Sequence, residues 1–382
     1  MTLIFDRRDT LPDGPQMHAI VLGVGRFPHV PTAPQADRKA CPDSARAMVD
    51  FLEMHKDDFT ASLATVECLI SDPRVPPEQD TCPRTDHDPR DDEAVDSGLH
   101  DTVKTACRDW LDRCREDDVL FFYGASHGLA TTAETALLVC EDYKSIPREK
   151  SHGLLSVDSI VRAAPAETKA GASWVFMDAC QEISQDLLGL ANGPSAIRPA
   201  ELDVTQTSKS FQKSISVFSS VFGGKAYAHK AGGLAYFTEA LIEGLSGCCV
   251  KLEGDEWYVS GKSLADRIED ILDILYDYPI RTSRLEGGSG RGYRLLKAQD
   301  PRAPVAVSTW PESKLKQAVS ARIVTRDPPH AEVKTRNDTA PVWRCSVSLA
   351  SKELKVEVMP NAGPKLVKSF TLGEEGVEVT LP

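Results

Sequence analysis

Four short and nearly unbroken apolar runs constrain the fold of this chain more than any other feature: Met17–Val24, Asp118–Tyr123, Ser173–Met177 and Lys213–Phe218. A strand with one wet face alternates apolar and polar side chains, so runs this continuous belong to strands covered on both faces. Helical patterns lie between and beyond them. Ala45–Leu52 is amphipathic and is preceded by Asp43 and Ser44, either of which is placed to cap it. Further helices are expected over 103–115, 157–164, 236–245 and 264–275, and further strands over 64–70 and 136–140. Buried strands alternating with helices predict an α/β fold: a mainly parallel sheet flanked by helices, closed by a strand over 292–296.

From about Asp300 the pattern changes. Pro301, Pro304 and Pro311 punctuate the chain, and 342–350, 354–359, 366–372 and 377–381 alternate like strands between turns, with no helical period. The expected organisation is therefore residues 1–299 as one domain, able to fold without the tail, and 300–382 as a small all-β C-terminal module. Residues 72–101 hold ten acids, three arginines and five prolines with little that is apolar, the composition of a solvated loop.

Charge and cysteine usage narrow the function. With 44 Lys plus Arg against 57 Asp plus Glu, the net charge of −13 argues against a nucleic-acid partner. No apolar run reaches the length of a membrane span and the N-terminus lacks the apolar stretch of a signal peptide, so a cytoplasmic protein without a membrane partner is expected. The ten cysteines are scattered without a CxxC pair or metal-ligand spacing, which suits reduced thiols.

Two strand ends stand apart. The run at 118–123 leads into Gly124-Ala125-Ser126-His127-Gly128, and the run at 173–177 into Asp178-Ala179-Cys180. Ligands bind at the carboxyl ends of parallel strands. Adjacent strands would bring His127 to Cys180, 53 residues on, and a thiol needs such an imidazole to become a useful nucleophile.

With the first strand and helix (18–51), His127-Gly128, Asp178-Ala179-Cys180 and Gly233-Leu-Ala-Tyr-Phe-Thr-Glu-Ala-Leu in this order, residues 17–297 resemble the caspase-like cysteine peptidases. That group holds caspases, metacaspases and paracaspases. The resemblance implies a cysteine endopeptidase with a His127–Cys180 dyad, a thioester acyl-enzyme, and an oxyanion hole made by the N–H groups of Gly128 and Cys180. In its pocket residues the chain is most similar to metacaspases. Asp178 stands where caspases have Gln, and Asp43 matches the second pocket acid, which implies a protein or peptide substrate with Arg or Lys at P1. The family's usual setting is a cell-death or defence cascade.

The chain departs from the metacaspase pattern at Ala125-Ser126 before the His and at Gln181-Glu182-Ile183 after the Cys. Arg38 keeps open an Asp-specific pocket. A catalytically idle caspase-like interaction module also stays open, as does an unrelated cysteine hydrolase acting on a small amide. No cofactor or metal is expected to be required. Calcium, which metacaspases often use, would fall to the loop 72–101, whose carboxylates lack fixed ligand spacing, and Asp142 is a weaker candidate ligand. Self-cleavage is expected after Lys209, then Arg84, since each lies in a loop and precedes a small polar residue. His18 reads as a framework residue and His229 as a candidate substrate contact. The C-terminal module is a candidate site for a regulatory protein partner.

Overall fold

The computed structural model describes residues 2–30, 37–82, 93–132, 135–168, 170–184, 187, 196–199, 214–229, 233–276, 281–283, 293–310, 313–326, 332–336, 338–350, 353–361 and 364–381. By its internal contacts the chain divides into two compact units: residues 1–239 with 281–293, and residues 240–280 with 294–382.

The first unit is built on a six-stranded sheet. Its strands are β1 (Leu3–Asp6), β2 (Gln16–Val24), β3 (Ser62–Ser71), β4 (Val119–Ala125), β5 (Ala172–Asp178) and β6 (Ser214–Phe218), in the spatial order β1-β3-β2-β4-β5-β6. All neighbours run parallel except β1, which is antiparallel to β3. Helix α1 (Ala40–Met54) packs on β2, β3 and β4, and α2 (His100–Arg113) packs on β2 and β3. Side chains of β4 and β5 are buried along the whole of both strands, which is why these segments read as continuous apolar runs. One core joins Ile20, Leu120, Phe122 and Val175 to Val103 and Trp110 of α2. Elsewhere Phe121 meets Trp174 edge-on at 6.4 Å and Phe176 at 5.6 Å. His18 is buried, with Nδ1 2.9 Å from Thr65 Oγ1 and Nε2 3.3 Å from Asp118 Oδ2, as a framework residue should be.

Two local expectations differ from the structure. Helix α1 begins at Ala40, so Asp43 sits inside its first turn and no side chain caps it. The described part of 72–101 is also not a uniformly solvated loop. Asp72 and Asp80 are buried there, because Arg26, Arg46 and Arg74 supply the cations that burial of a carboxylate requires.

The second unit holds a three-stranded antiparallel sheet, Val250–Glu253, Glu256–Ser260 and Arg294–Lys297, and the helix Gly261–Tyr276. Two further sheets follow, of three and four strands. The strand expected over 292–296 to close the main sheet instead pairs with Glu256–Ser260. An opposite charge across these two strands favours that partner: Lys297 pairs with Glu256. Helix Gly261–Tyr276 packs on Arg302–Thr309 and Trp343–Ser348. Residues 240–280 and 294–299 thus group with the β-rich tail, and the units do not divide at 300. Among the described residues no helix is long and apolar enough to cross a membrane.

Candidate active site

Strand register decides how closely the two candidate catalytic residues approach. In the parallel pair β4–β5, Ala125 stands opposite Asp178, and Ser126 N–H donates to Asp178 O at 3.3 Å. His127 lies two residues beyond Ala125 and Cys180 two beyond Asp178, so both leave the sheet edge at the same level on neighbouring strands. Both line one cavity of about 400 Å³, together with Arg38, Asp178, Glu182 and Lys225. Phe27, just past β2, packs its ring on His127 at 4.7 Å. The chain folds this way locally because β2, β4 and β5 are adjacent and end together.

Cys180 is half-buried, and Ala226 N–H donates to its Sγ at 3.3 Å. Burial holds the thiol above its ordinary pKa; the Ala226 N–H pulls it back, Glu182 raises it, Arg38 lowers it and Asp178 raises it. Gln181, part of the departure that follows the Cys, is buried and fixes the loop that brings Ala226 there. Its N–H donates to Gly224 O at 3.0 Å, its carbonyl accepts from Gly223 N–H at 2.8 Å, and its Nε2 donates to Ser220 O and to Ser283 Oγ. Ser220 Oγ holds the preceding turn through Ala179 O at 2.9 Å.

Gly128 occupies a place closed to other residues. A Cβ there would lie 1.9 Å from the Cys180 carbonyl oxygen and 2.8 Å from the Ala179 Cβ. Only glycine lets the backbone after His127 run against the turn that carries Cys180. The two residues expected to line the oxyanion hole are therefore neighbours.

Asp178 lies buried against the same cavity. Thr238 Oγ1 donates to its Oδ2 at 2.5 Å, and the Tyr123 hydroxyl lies 2.6 Å from Thr238 Oγ1. Burial pushes the Asp178 carboxyl up to about 6, against the hydrogen bonds from Thr238 and Ser219 that stabilise its charged form. No lysine or arginine pairs with it among the described residues. Asp43, the other expected pocket acid, is not brought here. Its carboxylate pairs with Arg74 at 2.5 and 3.0 Å and with Arg46 at 3.4 Å, and it is not among the described residues lining the cavity. Placed on the first turn of α1, it faces Arg46 one turn further along the same helix and Arg74 after β3.

The remaining candidates lie elsewhere. His229 pairs with Glu239 at 3.0 Å and packs at a tilt against the Tyr236 ring, 4.2 Å between centres. Asp142 accepts from the His100 N–H and meets His152 at 3.2 Å. Among the described residues no group of three or more His, Cys, Asp or Glu is arranged to hold a metal ion. Lys209 and Arg84 lie outside the described residues. Sequence reasoning missed Phe27, Ala226 and Thr238, since neither a backbone N–H nor a packing ring carries a sequence signal.

Two paired strand ends thus present a His and a Cys to one cavity. Residues 16–259, more than half of the chain, match the Caspase domain family, Peptidase C14, and the chain belongs to that family. It is 27% identical over 177 residues to the uncharacterized protein y4kE of Sinorhizobium fredii, over 45% of this chain and 49% of that protein. The match thus spans about half the length of that relative. Among solved structures it is similar to caspase-1 from Spodoptera frugiperda, with TM-score 0.41 and 15% identity over 77% of this chain and 98% of that one. Protein GSU0716 from Geobacter sulfurreducens matches with TM-score 0.40 and 12% identity over 75% and 95% of the respective chains.

Proposed function

We propose that this protein is an active cysteine endopeptidase that cuts proteins or peptides after arginine or lysine, with Asp178 as its one metacaspase-like pocket acid. The observation that carries the catalytic part is the common level of His127 and Cys180 on register-paired strands lining one cavity. Burial keeps the thiol protonated near neutral pH, so His127 takes that proton as Sγ attacks the scissile carbonyl carbon. The developing oxyanion is met by the N–H groups of Gly128 and Cys180. The C–N bond then breaks, and His127 returns the proton to the leaving amine. Water attacks the thioester with His127 as base, releasing the carboxylic acid and the thiol.

The basic P1 preference rests on Asp178 alone. A buried carboxylate that accepts only from hydroxyl and amide groups gains most from a cation entering its cavity. Arg38 lines the same cavity and is the reason to test an acid-selective alternative.

Cys180→Ala and His127→Ala should each lower kcat by about a thousandfold or more while leaving the melting temperature near wild type. Wild type should cut Arg and Lys peptides and leave Asp peptides intact, because an uncharged or acidic P1 forfeits a charge-assisted contact of roughly 1.5–3 kcal/mol. Faster cleavage of Asp peptides would transfer the pocket to Arg38. Undiminished turnover by either variant would remove the dyad, leaving an idle interaction module or another chemistry. Intact mass of wild type beside Cys180→Ala reads self-cleavage after Lys209 or Arg84 in the same preparations.

A further inference from the structure

A second cavity, of about 440 Å³, adjoins the first. It shares Arg38, His127 and Glu182 with it but holds neither Cys180 nor Asp178. Leu129, Val139 and Ile183 line it, and Lys144 and Tyr143 stand at its wall. We infer that this cavity receives the leaving half of the substrate: an apolar side chain at P1′ followed by an acidic residue at P2′. The inference rests on the peptidase reading above and adds a primed-side specificity to it.

Chemistry sets the direction of the chain. The acyl half of a substrate must end at Cys180 with its P1 side chain toward Asp178. The amine half leaves from His127, which protonates it, and so continues into the cavity that contains His127 and Gly128 without Cys180. The wall matches an aliphatic or aromatic P1′ group. Leu129 follows Gly128 directly, and Ile183, whose short strand Glu182–Ile183 runs parallel to Gly128–Ala130 and sets it opposite Ala130, is 44% exposed. Ile183 belongs to the Gln181-Glu182-Ile183 departure, which here becomes part of a binding surface.

The charge of the wall selects the next residue. Arg38 and Lys144 are cationic, whereas Glu182, the acid of the lining, already faces Lys225 at 3.4 Å. Lys144 has a left-handed backbone, φ 67°, uncommon for a residue with a Cβ, and its ammonium lies 5.5 Å from the centre of the Tyr143 ring. Strain of this kind collects where a side chain must be aimed at a ligand.

The test uses internally quenched peptides with Arg at P1, varied at P1′ (Leu, Phe, Gly) and P2′ (Asp, Lys), cut by the full chain. Leu or Phe at P1′ should exceed Gly in kcat/KM by about tenfold. Asp at P2′ should exceed Lys by about threefold, and Lys144→Glu should invert that ratio. The wild-type ratios need no variant, and the variant is judged by a ratio within one preparation. Equal cleavage across the P1′ series, or a P2′ ratio untouched by Lys144→Glu, overturns this inference while the peptidase reading stands. Failure to cut every Arg and Lys peptide overturns both.

Discussion

Asp178 places a negative charge where folding disfavours one. Its carboxyl titrates near 6 in the folded chain, because burial penalises the ionised form, and near the ordinary 3.8 when unfolded. Between those values the folded state keeps a proton the unfolded chain has released. Stability therefore falls as pH rises from about 4 to about 6, by about 3 kcal/mol in total at roughly 1.4 kcal/mol per unit. Asp178→Asn should melt above wild type at pH 7.5, with the advantage gone by pH 4, while cleavage after Arg suffers most. A variant that melts below wild type at pH 7.5 would show that the charge stabilises the fold. The position of Asp178, two before Cys180, was legible in the sequence. Its holding by Thr238, 60 residues on, was not, because a hydroxyl in a helical pattern gives no sign of its acceptor.

At the scale of elements, the segments that follow β2 and β3 are tied by a buried ionic network. Arg26 reaches Asp80 and Glu141, each at 2.7 Å, and donates to the Asp72 and Val75 carbonyls. Asp80 is 1% and Glu141 5% exposed. Removing one partner leaves buried charge uncompensated, so Arg26→Met should cost about 3–5 kcal/mol in urea unfolding. A loss under 1 kcal/mol would show that water reaches the network. Burial alone would raise Asp72, but Arg74 and Arg46 more than reverse it and hold its carboxyl well below the usual range. Its contribution to stability is therefore present above about pH 4 and fades as pH falls below that. Composition alone made 72–101 look solvated. The pairing of its acids with arginines from other elements is a long-range fact that local charge density does not encode.

Across the whole molecule, the unexpected feature is where the chain divides. Leu264, Ile268, Ile271 and Leu272 are fully buried in the second unit, on a helix that packs against Arg302–Thr309 and Trp343–Ser348. A chain ending at 299 would expose this face, at about 1.5–3 kcal/mol per large side chain, more in sum than a typical domain can lose. Residues 1–299 should therefore aggregate or show a protease-sensitive region over 240–280. A soluble fragment with a cooperative melt would show that the helix finds other cover.

The parallel strands β2 to β6, their order along the chain, and the strand ends that carry His127, Gly128, Asp178 and Cys180 follow from local pattern, whereas the antiparallel edge strand β1 was not expected from it. Burial on both faces leaves an unbroken apolar run, and a strand's end is marked by the residues that follow it. Long-range packing settled the rest. It turned Asp43 toward Arg74, set Arg294–Lys297 beside Glu256–Ser260, and placed Ala226 against the thiol. These outcomes depend on which distant group supplies a charge, an edge or an N–H, and the residues alone do not state that choice.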